Sequence, residues 1–140
     1  MSRQLIPIFF SVDDNYAPYL SVAVTSLVSN ASKNYDYEIV VMSDDLSDSN
    51  VEKLKTLETE NFKFRFVSME GKLKEITDRT ANRLCNEFFT LTIYFRILIP
   101  VMFPEYDKGI YIDSDITVPG DISELYNTDL EGNLIGACID

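Results

Sequence analysis

Residues 108–115 read KGIYIDSD, a short apolar run that stops abruptly at Asp113-Ser114-Asp115. An unbroken run of β-branched and aromatic residues is typical of a buried strand, which we predict at Lys108–Ile112. Asp113 and Asp115 are two residues apart, so their side chains point to roughly the same side. Adjacent carboxylates repel unless a cation neutralises them, and Mg²⁺ and Mn²⁺ prefer oxygen ligands. We therefore predict a metal site here, the alternative being a turn in which both Asp side chains cap backbone N–H groups.

A second strand with a polar end lies near the N-terminus, where Leu5–Val12 is apolar and the segment SVDDNY (Ser11–Tyr16) follows. Aspartate and asparagine at a strand end offer an acceptor and an amide, which suit the edge of a nucleobase. Tyr16 offers a face for stacking. On the residues alone, a helix cap by Asp14 or Asn15 is the favoured alternative.

The other elements alternate between helix and strand. The patterns predict, in chain order, a helix from Pro18 with the apolar stripe Leu20, Ala23, Val24, Leu27 and Val28, a strand at Tyr37–Met42, a helix capped by Ser49 and Glu52, a strand at Asn61–Val67 with Phe62, Phe64 and Phe66 inward, a helix and loop over residues 70–87, a buried helix at Phe88–Ile99 that Pro100 ends, and a strand at Leu134–Ile139. Pro7 is expected near the start of the first strand or at a bulge. Such alternation predicts an α/β fold with a parallel sheet, whose ligands bind outside the carboxyl ends of the strands.

Composition excludes several functions. The chain has 140 residues, which predicts one domain, and its net charge of −11 argues against nucleic-acid binding. Histidine is absent, so this chain holds no Ser-His-Asp triad and no His-ligated metal. With five glycines there is no GxGxxG or P-loop motif, and a phosphate ligand would need backbone N–H groups, local cations or a bound metal.

The expected compartment is the cytoplasm. Cys85 and Cys138 have no zinc-binding spacing and fit a reduced environment. No signal peptide is recognisable, and no apolar run approaches the roughly 18 residues that span a bilayer.

Arg96 lies in an otherwise apolar predicted helix, where a guanidinium needs a partner. It could contact a phosphate or a sugar; the alternative is an arginine that snorkels to the surface.

Four blocks, taken together and in order, resemble family 8 glycosyltransferases: FFSVDDNYAPYLSVAVTSL (9–27), TLTIYFRILIP (90–100), KGIYIDSDITVPGDISELYNTDL (108–130) and GACID (136–140). This family of retaining enzymes includes bacterial lipopolysaccharide galactosyl- and glucosyltransferases and the glycogenin group. The resemblance implies a Rossmann-like GT-A fold, a mostly parallel sheet with flanking helices. It also implies a UDP-glucose or UDP-galactose donor, Mn²⁺ (or Mg²⁺), and transfer with retention to a hydroxyl of a saccharide or glycolipid acceptor.

The resemblance also implies roles for individual residues. Asp13 and Asn15 would meet the uracil and ribose, Asp113 and Asp115 the metal, and Arg96 the diphosphate or donor sugar. The complete set of nucleotide-sugar-binding residues would be Ser11, Val12, Asp13, Asp14, Asn15, Tyr16, Arg96, Asp113, Ser114 and Asp140.

The chain departs from the family pattern in what it lacks. The family's third metal ligand, a histidine, and its catalytic residues would lie beyond Asp140, as would any part that associates peripherally with a membrane. Residues 1–140 are therefore expected to form a truncated GT-A fold, the N-terminal donor-binding part, with weak donor binding and little transfer by themselves.

Three other functions compete with this interpretation. Ile110–Thr117 also fits the Asp-x-Asp-x-Thr motif of haloacid-dehalogenase-like phosphatases, in which one aspartate attacks phosphorus. Asp13-Asp14 resembles the acidic pair of a receiver domain, although the third predicted strand ends without the aspartate to be phosphorylated. The last alternative is a nucleotide-sugar-binding module without transfer.

Overall fold

Four parallel strands form the centre of the molecule. The computed structural model describes residues 3–72 and 92–138. Within them the strands are β1 (Gln4–Ser11), β2 (Tyr35–Ser43), β3 (Phe62–Ser68) and β4 (Ile110–Tyr111), in the order β3-β2-β1-β4. All three neighbouring pairs are parallel, which confirms the predicted α/β fold with a parallel sheet.

Four helices flank the sheet in the described residues. They are α1 (Ala17–Asn30), α2 (Asp48–Lys55), α3 (Thr92–Met102) and α4 (Ile122–Tyr126), and a short 3₁₀ turn at Asp14–Tyr16 precedes α1. Pro18 lies in the first turn of α1, as predicted, because its fixed φ suits that position and its missing N–H is not needed there. In the described part of the chain no helix is both long and apolar enough to cross a membrane.

Each face of the sheet covers its own apolar core. Successive side chains of a strand point to opposite faces, so Ile6, Ile8 and Phe10 pack beneath α1, whose predicted stripe lies in the same core. On the other face Phe9 packs with Phe95 of α3 and with Phe103. Full burial of side chains of this size contributes about 1.5–3 kcal/mol each, so these two cores fix where the carboxyl ends of the strands lie.

Two predicted helix boundaries were wrong. Ser47, not Ser49, caps α2: its Oγ accepts from the Asn50 N–H at 3.4 Å. Both serines are followed three positions later by a polar residue, so the sequence pattern fits either as the cap. Only the geometry of the turn shows which serine caps the helix. Pro100 does not end α3, which continues to Met102 because a proline there costs a single bond to the Arg96 carbonyl.

The strand predictions need two corrections. Leu134 and Ile135 are almost fully exposed and residues 135–138 have no regular structure, so no strand forms at Leu134–Cys138. Pro7 is buried in the middle of β1, not at its start or at a bulge. It lies beside Gly109, before β4 begins, where no ladder bond is required of it.

Some predictions fall outside the described residues. These are the helix and loop over residues 73–87, the start of the helix predicted at Phe88, and the positions Cys85, Ile139 and Asp140.

Candidate functional site

The order of the strands reverses between β1 and β4. The chain runs from β1 to β2 and on to β3 in one direction, and then returns to add β4 on the other side of β1. Loops leaving β1 and β4 therefore diverge, and in open α/β sheets ligands bind outside the strand ends at such a reversal. The two polar strand ends predicted from the sequence are the ends of these two strands.

The end of β4 presents two exposed carboxylates. Phe9 pairs with Tyr111, and the Ile112 N–H donates to the Phe9 carbonyl at 3.2 Å, which extends the contact with β1 by one residue. Asp113 and Asp115 then leave the sheet and are exposed, whereas Ser114 between them is buried. Neither carboxylate forms an ion pair or accepts a backbone N–H within the described segments, so the turn-capping alternative is not what this structure shows.

The charges at the end of β4 affect the pKa of Tyr111. Burial and, after it, the negative charge of Asp113 raise the pKa of its hydroxyl to about 12, while the positive charge of Arg96 acts in the opposite direction. The Arg96 guanidinium lies 5.9 Å from the centre of the Tyr111 ring. Arg96 is exposed and pairs with no carboxylate of the described residues, so it remains available to an anion.

The carboxylate pair fits one kind of metal site. No group of three His, Cys, Asp or Glu side chains able to hold an ion occurs among residues 3–72 and 92–138. A closed structural site such as four-coordinate zinc is therefore not formed by these residues. Two exposed carboxylates match the way in which Mg²⁺ binds together with substrate phosphates, and Asp113 and Asp115 are the residues that would hold it.

The end of β1 presents polar and aromatic groups. Asp13 Oδ1 accepts from the Tyr16 N–H at 2.9 Å and caps the 3₁₀ turn, so the cap is Asp13 and not Asp14 or Asn15. Asn15 and Tyr16 are exposed, and the Tyr16 ring lies 5.3 Å from that of Tyr19. The tight turn thus directs an amide and an aromatic face to solvent.

The other predicted binding residues differ in what they can offer. Ser11 is half-buried, and the Val12 side chain is part of the first core, so a contact from Val12 would have to come from its backbone. Asp14 Oδ1 already accepts from Ser47 N–H and Asn50 Nδ2, both at 2.8 Å. These two partners of Asp14 were not predictable from the sequence, since no pattern links positions 33 and 36 residues apart.

The chain is similar to known glycosyltransferases over nearly its whole length. The family model described as "Glycosyl transferase family 8" matches residues 7–140. Human "Glycosyltransferase 8 domain-containing protein 1" is 28% identical over 92% of this chain and 34% of its own length. "Lipopolysaccharide 1,2-glucosyltransferase" of Escherichia coli K12 is 25% identical over 94% of the chain and 37% of its own. The chain thus spans about a third of the length of these relatives.

A solved structure shows the same fold. The galactosyltransferase LgtC, solved in complex with donor and acceptor sugar analogs, superposes with a TM-score of 0.74 at 28% identity, covering 96% of this chain and 47% of LgtC. The likeness confirms the predicted GT-A architecture.

Proposed function

This chain belongs to glycosyl transferase family 8, and on that premise we propose that it binds the nucleotide-sugar donor of a metal-dependent hexosyltransferase. The donor is a UDP-hexose, glucose or galactose, and the acceptor is a hydroxyl of a saccharide or glycolipid, glycosylated with retention. The observation that carries the proposal is the pair of exposed carboxylates, Asp113 and Asp115, which lie at the reversal point of the sheet and form no ion pair with another described residue.

The proposed division of labour follows the two strand ends. The exposed Asn15 amide and Tyr16 ring, with Asp13, would receive the uridine at the end of β1. The diphosphate would lie at the end of β4, where Arg96 offers a cation near Tyr111. Mn²⁺ or Mg²⁺ held by Asp113 and Asp115 would neutralise charge on the diphosphate as the UDP departs.

A cation is needed because of the charge of the protein. With 23 acidic and 12 basic residues, the chain repels a diphosphate at long range. Arg96 offsets part of that repulsion. The carboxylates themselves would repel the donor most strongly, so their position at the site makes sense only with a cation between them and the phosphates.

The competing functions are not favoured. In the phosphatase motif the Asp-x-Asp strand normally opens its domain, whereas β4 comes last of the described strands and lies at the edge of the sheet. In the receiver domain the third strand ends in an aspartate, whereas β3 ends at Ser68 with Met69 next. The family match over residues 7–140 points away from both.

Calorimetric titration of the chain with UDP, with and without Mn²⁺, tests the proposal. We expect UDP to bind measurably with Mn²⁺ and much more weakly in the presence of a chelator. Asp113→Asn and Asp115→Asn should each weaken Mn²⁺-dependent binding by about 100-fold. Loss of a residue that only supports a metal ligand typically costs about 10–100-fold in affinity, and loss of a ligand itself should cost at least as much.

Asp107→Asn is the matched control, because Asp107 is an exposed acid just before β4 whose removal changes the net charge equally. It should bind UDP like the wild type. Equal affinity with and without Mn²⁺, or equal losses in all three variants, would contradict the proposal.

A further inference from the structure

Asp14 joins the loop after β1 to the region after β2. Its Oδ1 accepts from the Ser47 N–H and from Asn50 Nδ2, both at 2.8 Å. Its own N–H donates to Asp45 Oδ1 at 3.2 Å, and the Asn50 amide also donates to the Asp14 carbonyl at 3.3 Å. Side chain and backbone of one residue are thus bonded to the β2–α2 loop and to the first turn of α2.

These bonds are of the strong kind. A carboxylate that accepts N–H groups forms shorter and stronger bonds than a neutral acceptor, and a helix N-terminus favours a negative charge. The hydrogen bond from the Ser47 backbone, followed by that from Asn50, lowers the pKa of Asp14 despite its partial burial. The carboxylate is therefore ionised and already hydrogen-bonded within the protein. Its negative charge would repel a diphosphate.

The residues on either side of Asp14 differ from it because they could still contact a ligand. Asn15 and Tyr16 are exposed, and Asp13 is half-buried at the 3₁₀ turn. A loop whose conformation is fixed before a ligand arrives loses less conformational entropy on binding, which improves affinity without any added contact.

We infer that Asp14 is a positioning residue: it touches no part of the nucleotide, and its bond to Asn50 holds the loop in the conformation in which Asp13, Asn15 and Tyr16 meet the uridine. The inference rests on the proposed function for those three residues. It reassigns Asp14, which the family resemblance had included among the binding residues.

The test compares UDP with ADP, since the two share the ribose and diphosphate and differ in the base. Affinities of the full chain are measured by calorimetry in Mn²⁺. Asp14→Ala should weaken UDP about tenfold and ADP only about threefold, because the contacts of Asp13 and Asn15 with the base edge are specific to uracil, whereas stacking on Tyr16 is open to either base and is lost for both. Asn50→Ala should weaken UDP in the same selective way.

Asp14→Asn provides the rescue. Its Oδ1 can still accept from Ser47 and Asn50, so UDP affinity should stay within about threefold of wild type. Asp48→Ala is the control, since Asp48 is an exposed acid in the same turn of α2. It should leave both affinities unchanged.

Three results would overturn the inference. If Asp14→Asn loses as much UDP affinity as Asp14→Ala while Asn50→Ala loses none, the carboxylate touches the ligand directly. If the alanine variants weaken UDP and ADP equally, or weaken neither, the bond does not order a base-reading loop. Should Asp14→Ala fail to fold, Asn50→Ala decides alone. Wild-type protein that binds no UDP at all would instead refute the proposed function, and this inference with it.

Discussion

Gly109 makes the closest approach of backbone to side chain beside the proposed site. A Cβ at this position would lie 2.6 Å from Phe9 Cε2 and 3.6 Å from Pro7 Cγ. The Phe9 ring is buried and held by Phe103, whose ring centre is 5.1 Å away, so it cannot swing aside at low cost. The glycine lets β4 lie against β1, and β4, which begins at the next residue, leads directly to Asp113.

Gly109→Ala should therefore destabilise the fold by about 1–3 kcal/mol, the usual cost of forcing an extra methyl into a packed core. Urea unfolding measures this change. Gly120→Ala is the control, because a Cβ there meets nothing within 4 Å, and it should leave stability unchanged. Equal unfolding midpoints for both variants would show that β4 is not tightly packed against Phe9.

Tyr16 is 47% exposed at the end of β1, where its ring could stack on a base. Tyr16→Ala should weaken Mn²⁺-dependent UDP binding about tenfold, within the ~1–3 kcal/mol that base–aromatic stacking contributes. Tyr16→Phe keeps the ring and should bind like wild type. If the phenylalanine variant binds as poorly as alanine, the hydroxyl rather than the ring face makes the contact.

Helix α2 is the element that supports the uridine end of the site, although none of its residues is proposed to touch the ligand. Ser47 caps it, and the same serine donates its N–H to Asp14. The helix was predictable from a capping motif in the sequence, but the motif was placed at Ser49 and Glu52. A cap depends on the φ and ψ of one residue, which composition and spacing do not fix.

Ser47→Ala should lower the free energy of unfolding by about 0.5–2 kcal/mol, the typical cost of losing an N-cap side chain. Thermal unfolding checks this, with Ser49→Ala as the matched control in the same turn, expected within experimental error of wild type. UDP affinity should change little in either variant, because the Ser47 backbone N–H that Asp14 uses is retained. A larger loss from Ser49→Ala would restore the capping assignment made from the sequence.

The limits of sequence reasoning also show at the level of elements. The strands β1 and β2 were predictable because both are buried on two faces and read as apolar runs. The apolar residues at Leu134 and Ile135 read the same way, yet they lie in no strand of the described chain. Local hydrophobicity does not state whether another strand is there to pair with, so a pattern of this kind identifies a strand only where the sheet has room for it.

For the molecule as a whole, the order β3-β2-β1-β4 turns two separate sequence signals into one site. Asp13 and Asp113 are 100 positions apart, and the sequence suggested only that each follows a strand. That the two strands are neighbours, with the reversal between them, comes from the topology. The link from Asp14 to Asn50 was likewise invisible, because it depends on how two loops meet in space.

The central claim is that Asp113 and Asp115 bind a divalent ion together with the nucleotide diphosphate. Electron paramagnetic resonance of free Mn²⁺, titrated with the chain in the presence of UDP, measures this directly. The wild type should remove close to one Mn²⁺ per chain from solution, and the double variant Asp113→Asn/Asp115→Asn should remove no more than UDP does alone. Equal removal of Mn²⁺ by the wild type and the double variant would contradict the account.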